Sequence, residues 1–202
     1  MVSTIKRRGS KILFSVGGYD HPDEPFSRLV ANETSRKNFI ENSIKFLKRN
    51  GFDGLDIFWY SPVYWSDDNQ NNSADKKNFL DFIKETSAAF KKENLLLTTE
   101  VSGLKDILDV AFDLEEMSKH VDLIHLVSWD LTGYWSGITG LGNPITRRDR
   151  GDCFSLVIFR LFCIWGKMIC WLVSTYKGLQ SWTTWEGWEL QNQEMTTDES
   201  SS

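Results

Sequence analysis

Asp53, Asp56 and Tyr60 lie in one short stretch, Phe52-Asp53-Gly54-Leu55-Asp56-Ile57-Phe58-Trp59-Tyr60-Ser61-Pro62, whose alternation is that of a β-strand. Side chains on a strand alternate faces, so Gly54, Asp56, Phe58 and Tyr60 share one face and Leu55, Ile57 and Trp59 share the other. The second face is packing. On the first, a carboxylate is followed by a phenyl ring and then a phenol. A general acid must release its proton near neutral pH, which a glutamate with a raised pKa can do. A phenol with a reference pKa of about 10 is poorly matched to that task. Tyr60 is better suited to stacking or hydrogen bonding.

The stretch resembles the signature of the family 18 glycoside hydrolases, the chitinases and chitinase-like lectins, which reads Asp-Gly-x-Asp-x-Asp-x-Glu on the fourth strand of a (β/α)8 barrel. Asp53, Gly54 and Asp56 match it. The family's third acid falls on Phe58 and its catalytic glutamate on Tyr60; Trp59 and Pro62 are retained, and Ser61 stands where a tyrosine is usual. The resemblance implies a mechanism in which the substrate's own N-acetyl group attacks the sugar carbon. The enzyme supplies one protonated carboxylic acid and one carboxylate that orients the acetamide. Both groups are missing here, so no ordinary chitinase activity is expected and no residue is assigned a catalytic role.

Two further motifs resemble the same family. Ser15-Val16-Gly17-Gly18 is similar to the Ser-x-Gly-Gly of its third strand, and Tyr19 takes the place of an aromatic residue that lines the sugar groove. Val127-Ser128-Trp129-Asp130 is similar to the Met-x-Tyr-Asp of its sixth strand. The resemblance implies sugar contacts for Trp129 and Asp130, with Trp129 keeping an aromatic surface but losing the hydroxyl. Gly133-Tyr134-Trp135 and the Gly-rich loop from Gly137 to Pro144 follow the family's course; Trp135 either stacks on sugar or anchors its loop. The implied ligand-binding set is therefore Tyr19, Asp56, Tyr60, Trp129, Asp130 and Trp135. Glu100 falls where the family has a small residue, near the C-terminal end of a strand, where barrel enzymes gather their catalytic groups. A relocated acid is one reading; a charge partnered inside the barrel or turned to solvent is the favoured one.

The elements that must position these residues follow from periodicity. Lys11 to Val16 reads as a buried strand closed by Gly17-Gly18. Phe39, Ile40, Ile44 and Leu47 form a helical stripe between Thr34 and Arg49, which Asn50-Gly51 stops. Phe79, Phe82, Ile83 and Phe90 mark a second amphipathic helix after the polar loop Asp67 to Ser73. Leu95 to Val101 and Val121 to Trp129 read as strands, with a helical turn around Leu114 to Lys119. This alternation is α/β with parallel βαβ units. The resemblance makes it a partial TIM barrel of the chitinase type, about strands three to six. A complete barrel typically needs about 250 residues, and four recognisable strands cannot close one.

The chain has 202 residues, of which 41% are hydrophobic and 25% charged, which is ordinary for a soluble domain. A net charge of -5 and a pI near 5.3 argue against nucleic-acid binding. The one short basic run, Lys6-Arg7-Arg8, reads as a solvated helix end. Nine tryptophans suit either sugar stacking or core filling. Cys153, Cys163 and Cys170 cannot close a disulfide framework among themselves and show no metal-ligand spacing, and no cofactor or metal is expected. No apolar run follows the basic residues of the N-terminus, so no signal peptide is read, although the resemblance implies an extracellular protein. Two sequons, Asn32-Glu33-Thr34 and Asn71-Asn72-Ser73, fall on expected loops.

The resemblance ends near Gly151, which divides the chain into a partial chitinase-like domain at 1–151, an apolar Trp- and Cys-containing segment at 152–194, and a disordered polar tail at 195–202. Cys153 to Val173 is long enough for a membrane span, but Arg160 and Lys167 within it argue against one. A buried strand and helix, or a tail from an altered reading frame, remain as readings. The sequence thus points to a non-catalytic, lectin-like protein that binds chitin or N-acetylglucosamine oligosaccharides. The alternatives are a weakly active glycosidase using Glu100 and a truncated barrel that binds nothing. Oligomeric state is left open.

Overall fold

The computed structural model describes residues 2, 6, 7, 9–63, 72–127 and 168–171. Its elements run β1 (Leu13–Gly17), α1 (Asp23–Ala31), α2 (Glu33–Asn50), β2 (Gly54–Phe58), α3 (Asp75–Lys92), β3 (Leu96–Ser102), α4 (Lys105–Ala111), α5 (Leu114–Met117), β4 (Leu123–Val127) and β5 (Met168–Trp171). The strands form one parallel sheet in the order β1-β2-β3-β4-β5. Sequence order and spatial order coincide, as they do when each strand is followed by a helical crossover of one hand. This is the α/β layout expected from the sequence and is consistent with part of a barrel.

The helices cover one face of the sheet because their apolar stripes match it. Helix α2 turns Ile40 and Leu47 inward, and α3 turns Phe79, Phe82, Ile83 and Phe90 inward, all of them buried. They meet Leu55, Ile57 and Trp59, the odd-numbered face of β2, which is 2% exposed or less. Each such aliphatic or aromatic side chain contributes about 1.5–3 kcal/mol on burial. Trp59 stacks on Phe26 with ring centroids 5.3 Å apart, and its indole N–H donates to Asp23 at 2.6 Å. Helix α2 begins where the Asn32 side chain accepts from the Ser35 N–H at 3.0 Å and ends at Gly51, whose φ of 75° is the left-handed cap expected of it. Arg36 fastens α2 to its neighbours through two bonds to the Glu85 carboxylate, at 2.8 and 2.9 Å, and one to the Val30 carbonyl at 2.7 Å.

Two elements escape the sequence reading. Helix α1 has few apolar residues, of which only Phe26 and Val30 are buried, and α4 is short. The apolar segment after Gly151 contributes β5 beside β4, so a strand arises where the family resemblance had ended. Lys6 is not simply a solvated helix end, since its ammonium lies 3.1 Å from Asp53. The residues at 64–71 and the tail at 195–202 lie outside the described residues, as does most of 152–194.

Gly17 shows why a glycine closes β1. Its φ is +104°, and a Cβ there would stand 2.1 Å from the Phe58 carbonyl oxygen on β2. Gly17→Ala should therefore lower unfolding stability by about 2 kcal/mol or more, from left-handed backbone strain and the clash together. Chemical denaturation measures it.

Candidate functional site

The inward face of the sheet carries the polar residues. In register, Ser15 pairs with Asp56, Asp56 with Thr98, Phe58 with Glu100, and Glu100 with His125. Adjacent strands lie about 4.8 Å apart, so these pairings bring the side chains of four strands onto one floor. Asp56 is 6% exposed and lies at its centre. One of its oxygens accepts from the Ser15 hydroxyl at 2.8 Å and the other from the Thr98 hydroxyl at 2.6 Å. Burying a carboxylate is costly unless it is hydrogen-bonded, and these hydroxyls supply that support.

Asp56, Glu100 and His125 each offer a ligand atom within 4.8 Å of the others. Burial pushes the Glu100 carboxyl up to about 8, with the nearby Asp56 charge and a hydrogen bond to Asp56 acting in the same direction. Glu100 thus carries a proton at neutral pH and is partnered inside the sheet, not turned to solvent. Burial also lowers the pKa of His125, against the opposing pull of Asp56. The His125 Nδ1 to Asp56 distance of 3.9 Å is too long for a hydrogen bond, and the imidazole is neutral, so this contact is not an ion pair. Two carboxyls and an imidazole are a donor set that one divalent cation accepts. The hydroxyls on Asp56 and the proton on Glu100 serve the two carboxyls without one.

Above the floor sit the aromatics. Tyr19, 49% exposed, meets Tyr60 edge-on with ring centroids 4.8 Å apart, and Tyr60 meets Phe58 at 6.4 Å. Tyr19 and Tyr60 are thus brought together, and Asp56 lies four residues before Tyr60 in the same stretch, while Trp129, Asp130 and Trp135 lie outside the described residues. The floor also contains Thr98 and His125, which the sequence reading missed. The available signal was parity, because Thr98 shares a face with Glu100, and His125 with Trp129. Asp53, the first acid of the stretch, is no part of the floor. Burial tends to raise its pKa, but the Ile12 N–H at 2.9 Å and the Lys6 ammonium outweigh it and hold Asp53 below the usual carboxylate range. It pins β1 to β2.

This floor lies on the face of the parallel sheet opposite the one the helices cover. The family model described as Glycosyl hydrolases family 18 matches residues 1–159, and the chain belongs to that family. Probable chitinase 10 of Drosophila melanogaster is 35% identical over 153 residues, 75% of this chain and 7% of that protein. The Ostrinia furnacalis Group II chitinase catalytic domain 2 superposes with a TM-score of 0.75 at 28% identity, covering 90% of this chain and 52% of that one. Human YKL-39, described as a pseudo-chitinase with retained chitooligosaccharide binding properties, superposes with a TM-score of 0.70 at 28% identity, covering 88% of this chain and 54% of that one. The chain therefore spans about half of each of these solved structures and a small part of the insect relative.

Proposed function

We propose that this protein is a non-catalytic chitinase-like lectin that binds chitin or N-acetylglucosamine oligosaccharides. Its chain would provide about strands three to six of the chitinase barrel, as a domain spanning 1–151, and act outside the cell as chitinase-like proteins of this family are expected to do. The observation that carries the reading is the floor itself. Asp56 is retained and supported by two hydroxyls, whereas the two positions above it hold Phe58 and Tyr60. Aromatic platforms with a few placed polar groups suffice for binding without turnover. The family contains a member with this behaviour, human YKL-39.

The alternative of a glycosidase using Glu100 as its acid is less well supported by the register. Glu100 pairs with Phe58, two residues short of Tyr60 along the strand, which is about 6.6 Å deeper than the lost acid. Trp129, Asp130 and Trp135 complete the proposed groove with Tyr19 and Tyr60. Titration of N-acetylchitotetraose into the protein, followed by tryptophan fluorescence, tests binding. Tyr19→Ala should weaken it by roughly tenfold, the worth of about one stacked aromatic ring. An unchanged affinity would remove Tyr19 from the groove.

A further inference from the structure

We infer that Asp56, Glu100 and His125 form a binding site for one divalent transition-metal ion of the zinc class, which ties β2, β3 and β4 together across the floor. The inference goes beyond the sugar-binding reading and does not depend on it. The donors come from three neighbouring strands, and the register sets them side by side. Glu100 pairs with Phe58 on one side and with His125 on the other, while Asp56 stands two residues before Phe58 on the same face. Their ligand atoms lie within 4.8 Å of one another, with His125 Nδ1 3.9 Å from Asp56 Oδ1. Because the three residues are far apart in sequence, no metal-ligand spacing announces them. A tetrahedral zinc with bonds of about 2.1 Å sets its donors about 3.4 Å apart, so these groups need to draw in by about 1.4 Å at most. The two-methylene stem of Glu100 allows that movement without disturbing the strands.

Burial is what makes an ion fit here. The side chains of Asp56 and His125 are 8% and 14% exposed. Two carboxyls held this close out of water are costly as anions, and a doubly charged cation between them offsets both charges at once. On binding, the ion takes the place of the Glu100 proton, as metal ions do with the ligands they meet. Asp56 is already braced for the task. Ser15 donates to one of its oxygens at 2.8 Å and Thr98 to the other at 2.6 Å, and each oxygen keeps a further lone pair. Hydroxyls bonded to a ligating carboxylate hold it in orientation, as outer partners do at metal sites generally. The donor set also selects the ion. An imidazole nitrogen favours zinc and its neighbours in the first transition row over magnesium and calcium, and three protein donors are too few for calcium, which takes about six to eight oxygens. Three protein ligands leave one position on a tetrahedral ion for water.

The test uses the whole chain, freed of metal with EDTA and dialysed, without any sugar. Zn²⁺ is titrated by calorimetry, and Co²⁺ serves as its spectroscopic stand-in. One Zn²⁺ should bind per chain, and a large excess of Mg²⁺ should not displace it. Glu100→Gln and His125→Asn, which nearly keep the side-chain volumes, should each weaken binding by at least about a hundredfold. Thr98→Val, which removes only a brace on Asp56, should weaken it by about tenfold or more. Thermal unfolding in EDTA checks that each variant is folded. The wild-type Co²⁺ spectrum decides independently of any variant. Visible d–d bands without the near-ultraviolet charge transfer of a thiolate are expected from nitrogen and oxygen donors. A thiolate band would put the ion on Cys153, Cys163 or Cys170 and overturn the inference. Zinc affinity equal in wild type, Glu100→Gln and His125→Asn overturns it too, as does a wild-type chain that binds no zinc.

Discussion

The Phe58→Asp, Tyr60→Glu double variant should hydrolyse a fluorogenic chitobioside at least about a hundredfold faster than the wild type, whose rate should match buffer. A positioned general acid alone is worth roughly 10²–10⁴ in rate, and the change returns a second carboxylate as well. The rest of the floor is already in place, since Asp56 is held by Ser15 and Thr98 and the backbone of β2 is fixed by pairing on both sides. Glu100 complicates the variant in a definite way. It is paired with Phe58, so the new aspartate would join Asp56 and Glu100 in one small volume. Like charges so placed raise one another's pKa and hinder ionisation. Adding Glu100→Ala to the double variant should therefore raise turnover further and move its activity to lower pH. A double variant no faster than wild type would mean that the groove above the floor is not that of a hydrolase.

Glu100→Gln should flatten the dependence of stability on pH. The folded-state pKa of Glu100 is raised by burial first and by Asp56 second, from the ordinary 4.5 to about 8. An acid whose folded pKa lies above its unfolded one stabilises the fold most when protonated. That contribution is fully present below about 4.5 and is lost as pH rises through about 8. Glutamine cannot ionise, so the variant's thermal midpoint should pull ahead of the wild type's across this window and the gap should level off above it. Taking the difference between the two proteins cancels the other titrating groups. Parallel curves would show that Glu100 ionises freely in the fold.

How much of this was legible in the sequence depended on whether the information was local. The alternation from Leu55 to Tyr60 fixed which face of β2 packs, and Leu55, Ile57 and Trp59 are buried as it requires. The stripes of α2 and α3 were equally plain, because their apolar residues recur at helical spacing. Helix α1 was not, since it buries only Phe26 and Val30 and its Asp23 is held by Trp59, a contact 36 residues away in sequence. The site divided in the same way. Asp56 and Tyr60 could be read from one strand and Tyr19 from the Gly-Gly turn. The meeting of Glu100 with Asp56 and His125 required the register of three strands, which no single stretch encodes. Glu100 was noticed for its type and position, and its partner came only from the sheet.

The most direct test of the account is retention of the purified wild-type chain on chitin beads, with hydrolysis of the fluorogenic chitobioside followed in the same sample. Retention that soluble N-acetylchitotetraose competes away, with turnover no greater than in buffer, is the predicted result. Turnover that survives purification and falls with Glu100→Gln would contradict the non-catalytic reading, and a chain that passes through the beads unretained would contradict the sugar-binding one.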